Sequence, residues 1–282
     1  MKKKGFFSRE FIVLTLGLIF SILFVGSIYR YYVWPIAEDI EIASRVEASQ
    51  NPDQPIVANR SVVMILKDME QMFCLMLMLW ACIIISYKFL RIYGERSVTG
   101  FQFLRITKGE RILPDEALAH YKELGNEVSR NGRLRDKILP DVILSALHRF
   151  DSTRSIQDAS HAVQQRTEMA YDQLESELSL VRYIAWAIPS VGFIGTVRGI
   201  GEALALADEA IRGDISGVTA ALGLAFNSTL IALLLSIVLM FFVHLLQSKQ
   251  EKLLIDLEEF ATKRIIGLMK TPENEDSPIT YS

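Results

Sequence analysis

Only two cysteines occur in 282 residues, Cys74 and Cys82, and both lie in one apolar run, so no disulfide framework is expected. Net charge is scarce as well. Thirty Lys and Arg against 33 Asp and Glu leave −3, which excludes the basic surface that a nucleic-acid binder needs. The four histidines, His120, His148, His161 and His244, are dispersed, with no His-Glu-x-x-His or Cys-x-x-Cys pairing, so a zinc site is not expected. The glycine-dense run 192–201 lacks the Gly-Lys-Ser/Thr of a phosphate loop and follows a helical pattern rather than a strand, which excludes a nucleotide cradle. No internal repeat is evident, so an inverted-repeat transporter has no support from sequence symmetry. No catalytic residue, metal ligand or cofactor is assigned, and the chain is not expected to be an enzyme.

What is abundant is apolar sequence. Half of the residues are hydrophobic and 22% are charged, and the mean hydropathy is +0.26. Hydrophobicity that high beside ordinary charge content means that the apolar residues are clustered, as in membrane spans joined to polar segments. Residues 11–28 form an apolar run after three lysines and end at Tyr29, Tyr31, Tyr32 and Trp34, an interfacial belt. This run is read as a retained span; the rival reading is a secretory signal peptide. A second, Met-rich span covers 69–87, and a fourth covers 218–246 with His244 as its sole titratable residue. The third, 181–206, holds Arg182, Pro189, Arg198, Glu202 and four glycines, a composition suited to close helix packing rather than to facing lipid.

Basic residues set the orientation. Lys2, Lys3, Lys4 and Arg9 precede the first span, and Lys88, Arg91, Arg96, Arg105, Lys108 and Arg111 follow the second. The 35–68 segment instead carries six acids against three bases. Both termini are therefore expected in the cytoplasm. The expected organisation is an all-α membrane protein: a stub and first span over 1–34, an outer loop over 35–68, a second span over 69–93, a cytoplasmic helical region over 94–180, a core of two spans over 181–247, and a cytoplasmic helix and tail over 248–282. Asn51-Pro-Asp-Gln-Pro55 signals a bend in the outer loop, Pro114-Asp-Glu a helix start, and Asn131-Gly132 a break. Asp151-Ser152 offers a cap for one long helix that continues to a kink at Pro189. Arg130, Arg133, Arg135 and Lys137 make the densest basic cluster, read as a solvated face near anionic lipid or as a docking surface. The tail beyond residue 271, with Pro272 and Pro278, reads as frayed.

In the third span Gly192, Gly195, Thr196 and Gly199 recur three or four apart, and in the fourth Ala221, Ala225, Ser228, Ala232 and Ser236 do the same, with Thr229 beside them. Two such faces can pack tightly, with the threonine hydroxyls bonded to their own helix, or can place hydroxyls along an ion path. Arg198 and Glu202 are four apart, as a structural pair or as part of the path. No Asp or Glu stands at the middle of any span, because Glu70 and Glu202 both fall near the outer side. A proton path through this chain would therefore need a carboxylate from another chain.

The strings Ala187-Ile-Pro-Ser-Val-Gly-Phe-Ile-Gly-Thr-Val-Arg-Gly-Ile and Val218-Thr-Ala-Ala-Leu-Gly-Leu-Ala-Phe-Asn-Ser-Thr-Leu-Ile-Ala-Leu resemble the MotA/TolQ/ExbB proton-channel family over about the last 110 residues. The resemblance implies a homopentamer in the bacterial inner membrane around a dimer of a single-span MotB/TolR/ExbD-like partner that carries a membrane Asp. It implies a rotary, ion-driven motor subunit, with Thr196 and Thr229 as pore-lining hydroxyls, Gly192, Gly195 and Gly199 as the thin face, and Pro189 as the kink. Two positions depart from the family pattern. Arg198 stands where an apolar or aromatic residue is usual, and the Glu that some ExbB-like members carry before the last-span threonine is replaced by Leu222-Gly-Leu-Ala. The alternatives are a non-conducting membrane scaffold and a self-contained secondary transporter. The sequence names neither the machine driven nor the choice between H⁺ and Na⁺.

Overall fold

In a computed structural model, residues 9–50, 61–101, 103 and 111–271 are described. The N-terminal lysines, the 51–55 bend, Arg105, Lys108 and the tail from Pro272 lie outside them, as does the Arg9 side chain. The described residues are almost wholly helical, and the nearest thing to sheet is a single bridge between Ile112 and Met269. Four helical stretches are long and apolar enough to cross a membrane: Glu10–Ser44, Met69–Arg96, Ile156–Ala205 and Ser216–Leu268. All-helical architecture and four spans thus agree with the sequence reading. The chain divides into two compact units, one from 1–87 with 179–244 and one from 88–178 with 245–282.

In the first unit α1 (Arg9–Ile28) passes through a π-helical turn, Tyr29–Val33, into α2 (Trp34–Gln50). The sequence reading ended the first span at the aromatic belt and began an outer loop at Pro35. Proline lacks an N–H and clashes with the preceding turn. The wider turn, in which the Trp34 N–H bonds to the Tyr29 carbonyl, carries the helix up to that proline. The buried face of α1 is one residue wide, Gly17, Ser21 and Val25, and continues at the same spacing to Tyr29 in the π turn. It meets α4 (Met69–Arg96), with Gly17 against Ile83, the Ser21 hydroxyl donating to the Met76 carbonyl (2.5 Å), and Trp80 Nε1 donating to the Leu14 carbonyl (3.0 Å). Between them, α3 (Val62–Leu66) is capped by Ser61.

The second unit contains α5 (Pro114–Arg130), α6 (Ile138–Thr153) and α7 (Ile156–Ser176), packed in series. Pro114 takes the first turn of α5, and the Glu116 carboxylate accepts from the Leu113 N–H. Asn131 closes the helix, its N–H on the Glu127 carbonyl (2.8 Å). The core consists of Leu124, Leu134, Leu139, Ile143, Leu147, Phe150 and Val163, all buried. At about 1.5–3 kcal/mol for each large side chain removed from water, these residues dominate the stability of the unit.

The long helix expected from Asp151 to Pro189 starts later, at Ile156, and a turn divides it in two. Asp151 and Ser152 end α6, and Arg154 adopts a left-handed conformation (φ 53°) with its N–H on the Phe150 carbonyl. Ser155 then caps α7 by accepting from the Asp158 N–H (3.2 Å). A turn at Glu177 and Leu178 separates α7 from α8 (Ser179–Ala205), the apolar part of the third stretch. After α9 (Ala207–Ile211), α10 (Ser216–Arg264) runs unbroken for 49 residues, covering the fourth span and most of the mixed-charge helix expected after it.

Candidate functional site

Three glycines of α8 lie against small residues of α10, and the spacing on each helix puts them in register. A Cβ built on Gly199 would meet the Ala225 Cβ at 2.8 Å and the Ala221 carbonyl at 2.9 Å. One on Gly195 would meet the Ser228 Oγ at 2.5 Å, and one on Gly192 the Ser228 carbonyl at 3.1 Å. Only a residue without Cβ fits at these positions. Ala225, Ser228 and Ala232 are correspondingly buried, whereas Gly201 and Gly223 face open space.

This closeness brings hydroxyls of one helix to carbonyls of the other. The Gly192 carbonyl accepts from Ser228 Oγ (2.9 Å) and Thr229 Oγ1 (3.1 Å), and Thr196 Oγ1 lies 3.4 Å from it. Thr196 also reaches the Ala225 carbonyl (3.0 Å), and the two threonine hydroxyls are in direct hydrogen-bond contact. Each hydroxyl has one proton and two lone pairs. The pair therefore has two orders of equal bond count: Thr196 donates to Thr229 while Thr229 donates to the Gly192 carbonyl, or Thr229 donates to Thr196 while Thr196 donates to the Ala225 carbonyl. Both threonines are half-buried, so each keeps one side at the chain's surface.

Pro189 lies inside α8, which continues through it. Its missing N–H leaves the Ala185 carbonyl without the usual partner one turn back. The Ser236 hydroxyl of α10 donates to that carbonyl at 2.8 Å, so the interruption also fastens the two helices together.

Arg198 has more partners than the sequence suggested. Its Nε is 3.8 Å from Glu202, but its guanidinium is 3.1 Å from Glu70 and 3.7 Å from Asp68, at the start of α4. The pair with Glu202 is therefore one contact of a larger set. The closest partner is Glu70, and the cluster holds three acids. Asp68 and Glu70 were missed as partners because 128 or more positions separate them from Arg198 in sequence. Their one sequence signal is their place at a helix N-terminus, which favours acids anywhere.

A second charged cluster lies within the other unit. Glu177 receives Lys88 Nζ at 2.9 Å and Arg91 at 2.8 Å, while Glu95 pairs with Lys137 (3.4 Å) and accepts from the Ile138 N–H (3.0 Å). Lys88, Arg91, Glu95 and Glu177 line a small cavity with Gln250 and Leu253. Burial works to raise the Glu177 pKa, but the bonds and charges of Lys88 and Arg91 outweigh it and hold the carboxyl below its ordinary value. The sequence reading used Lys88 and Arg91 only as orientation markers and assigned no role to Glu177. Arg130, Arg133 and Arg135 are exposed, while Lys137 is turned to Glu95. Among the described residues no group of three His, Cys, Asp or Glu side chains could hold a metal ion.

Residues 134–259 match the family model described as the MotA/TolQ/ExbB proton channel family, a little under half of the chain. The match begins before α6, earlier than the resemblance read from the glycine and threonine strings. Neither the curated proteins nor the solved structures contain a match.

Proposed function

We propose that this multi-pass membrane protein is the channel subunit of a proton-driven motor, a reading supported by the match of residues 134–259 to the MotA/TolQ/ExbB proton channel family and by four helices long and apolar enough to cross a membrane. Protons pass along the α8–α10 seam at Thr196 and Thr229. The observation that carries the reading is the contact between these two hydroxyls over the shared Gly192 carbonyl. Such a pair can take a proton on one oxygen and release another from the next, reversing the order of its bonds without becoming a fixed charge.

The seam itself holds no carboxylate, so the resting and accepting acid comes from a partner. In this reading the partner is a MotB/TolR/ExbD-like protein with one span and a membrane Asp, two copies of which stand inside a ring of five copies of this chain. Gly192, Gly195 and Gly199, with Ala225, Ser228 and Ala232, make the seam thin, and Pro189 with Ser236 fixes its geometry. Exposed apolar residues on α8 (Trp186, Phe193, Ile194, Val197) and α10 (Phe226, Leu230, Ile237, Phe241) support assembly into a larger membrane complex or contact with lipid. The ring lies in the bacterial inner membrane with both termini in the cytoplasm, and rotation of the ring about the dimer converts proton flow into mechanical work.

The test is proton uptake by vesicles under an imposed pH gradient, with this chain alone and with its co-purifying single-span protein. Uptake with both proteins and none with either alone is expected, together with five-fold averages by cryo-electron microscopy. A stable assembly that never conducts would replace this reading with a membrane scaffold.

A further inference from the structure

The cluster at the start of α4 has more acid than base and more polar atoms than bonds. Asp68, Glu70 and Glu202 surround Arg198, and Lys67, the other cation at hand, is 3.7 Å from Glu41. Three carboxylates thus share Arg198, with Lys67 acting on Asp68 as well. The Asp68 and Glu70 side chains are only 13% and 12% exposed. Beside them Gln71 is buried to 1% exposure, and neither of its amide atoms has a formed hydrogen bond, although its amide bears on the Asp68 carboxylate. Asp68 Oδ2 and the Tyr29 hydroxyl are likewise buried without a partner, and the Asp68 charge acts on the Tyr29 phenol. Buried polar atoms left unpaired are costly, so a native cluster of them points to a species that they share.

The position of Glu70 gives the cluster a neighbour. A Cβ on Gly195 would meet both the Glu70 Cγ, at 3.2 Å, and the Ser228 Oγ, at 2.5 Å. The arm of the Glu70 carboxylate and the Ser228 hydroxyl thus both approach the bare face of Gly195. Ser228, Thr229 and Thr196 then converge on the Gly192 carbonyl.

We propose that Asp68, Glu70 and Gln71, with Arg198 facing them, form a proton-holding site belonging to this chain, which loads the Thr196–Thr229 seam across Gly195. The inference rests on the channel reading above and adds to it an acid that this chain supplies itself. A hydronium gives its proton to the Asp68–Glu70 pair, leaving water and one neutral carboxyl. The carboxyl O–H bond then breaks as a seam hydroxyl accepts the proton and releases its own onward to the partner's carboxylate. No electrons are exchanged, and the site returns to its charged form. Excess negative charge and burial favour holding one proton, and Arg198 keeps the second carboxylate ionised. Consistent with this, burial pushes the Asp68 pKa up and the Glu70 charge adds to the push, against the lowering effects of Arg198, Lys67 and Gln71.

Two measurements on the full-length chain test the site. Infrared titration of the purified protein should show a carboxyl group protonating clearly above the ordinary carboxylate range of about 4, and Asp68→Asn with Glu70→Gln should remove it. In vesicles with the co-purifying partner, Glu70→Gln should lower proton flux at least tenfold and Glu70→Asp should restore part of it with a shifted pH profile. The exposed Glu209→Gln should leave flux unchanged. A carboxyl signal that survives the double substitution overturns the proposal. So does wild-type flux with a wild-type pH profile in Glu70→Gln where Thr229→Val is silent, a result that would leave the channel reading intact. If Thr229→Val conducts normally and Glu70→Gln does not, the threonine path fails and the acid site stands.

Discussion

Replacing Gly199 with alanine adds one methyl group, and the seam makes that methyl costly. At an open position on a helix the same change is favourable by up to about 1 kcal/mol, because alanine is the better helix former. Gly201 and Gly223, with nothing within 4 Å of a built Cβ, are such positions. At Gly199 the new Cβ would stand 2.8 Å from the Ala225 Cβ, 2.9 Å from the Ala221 carbonyl and 3.1 Å from the Ala225 Cα. Two of these three atoms are backbone, so relief requires the helices to separate rather than a side chain to turn. Overpacking of this kind costs about 1–3 kcal/mol. Gly199→Ala and Gly201→Ala should therefore differ by about 2–4 kcal/mol. Thermal unfolding of the purified full-length variants in one detergent would read the difference as opposite shifts in Tm. Ala225→Gly should recover part of the loss when combined with Gly199→Ala, as expected for residues in contact. Equal or higher stability of Gly199→Ala relative to Gly201→Ala would refute a backbone-contact seam.

Other consequences follow from single interactions. Ser236→Ala should cost about 1 kcal/mol, since it strips the Ala185 carbonyl of its donor opposite Pro189; an unchanged Tm would show that the carbonyl needs none. Lys88→Met should destabilise the second unit by about 3–5 kcal/mol, because Lys88 is 3% exposed and its loss leaves a buried Glu177 with Arg91 and the Gln173 amide; an unchanged Tm would contradict it. Because the folded-state pKa of Glu177 is depressed, its contribution is fully present above the unfolded-state value and disappears as pH falls through the folded one. The wild type should therefore lose stability below about pH 4 more steeply than Glu177→Gln, and parallel curves in urea titrations would contradict this.

Short-range chemistry was the part legible in sequence. The α5 start at Pro114 and its end at Asn131 follow from local rules, and the glycine stripe of α8 marks the face that meets α10, because small residues at helical spacing have few other uses. What lay outside such rules was either long-range or unmarked. The turn at Glu177 and Leu178 carries no glycine or proline, and Arg154 takes a left-handed conformation that arginine does not signal. The partners of Arg198 required knowing that α4 packs beside α8. The first helix outruns the apolar run that marked it, because a π turn carries it past the aromatic residues and on to Pro35. The family match likewise extends back to residue 134, over amphipathic helices whose apolar spacing is common to many folds.

The central claim is that a proton crosses at the Thr196–Thr229 pair by way of hydroxyls. Its most direct test compares shape with chemistry at those two positions. Proton flux should be measured in vesicles holding the full chain and its co-purifying partner, with both threonines changed to valine and, separately, both changed to serine. Valine keeps the shape and removes the hydroxyl, whereas serine keeps the hydroxyl. The account predicts that the serine pair conducts and that the valine pair assembles normally but carries no flux. Wild-type flux through the valine pair would contradict it.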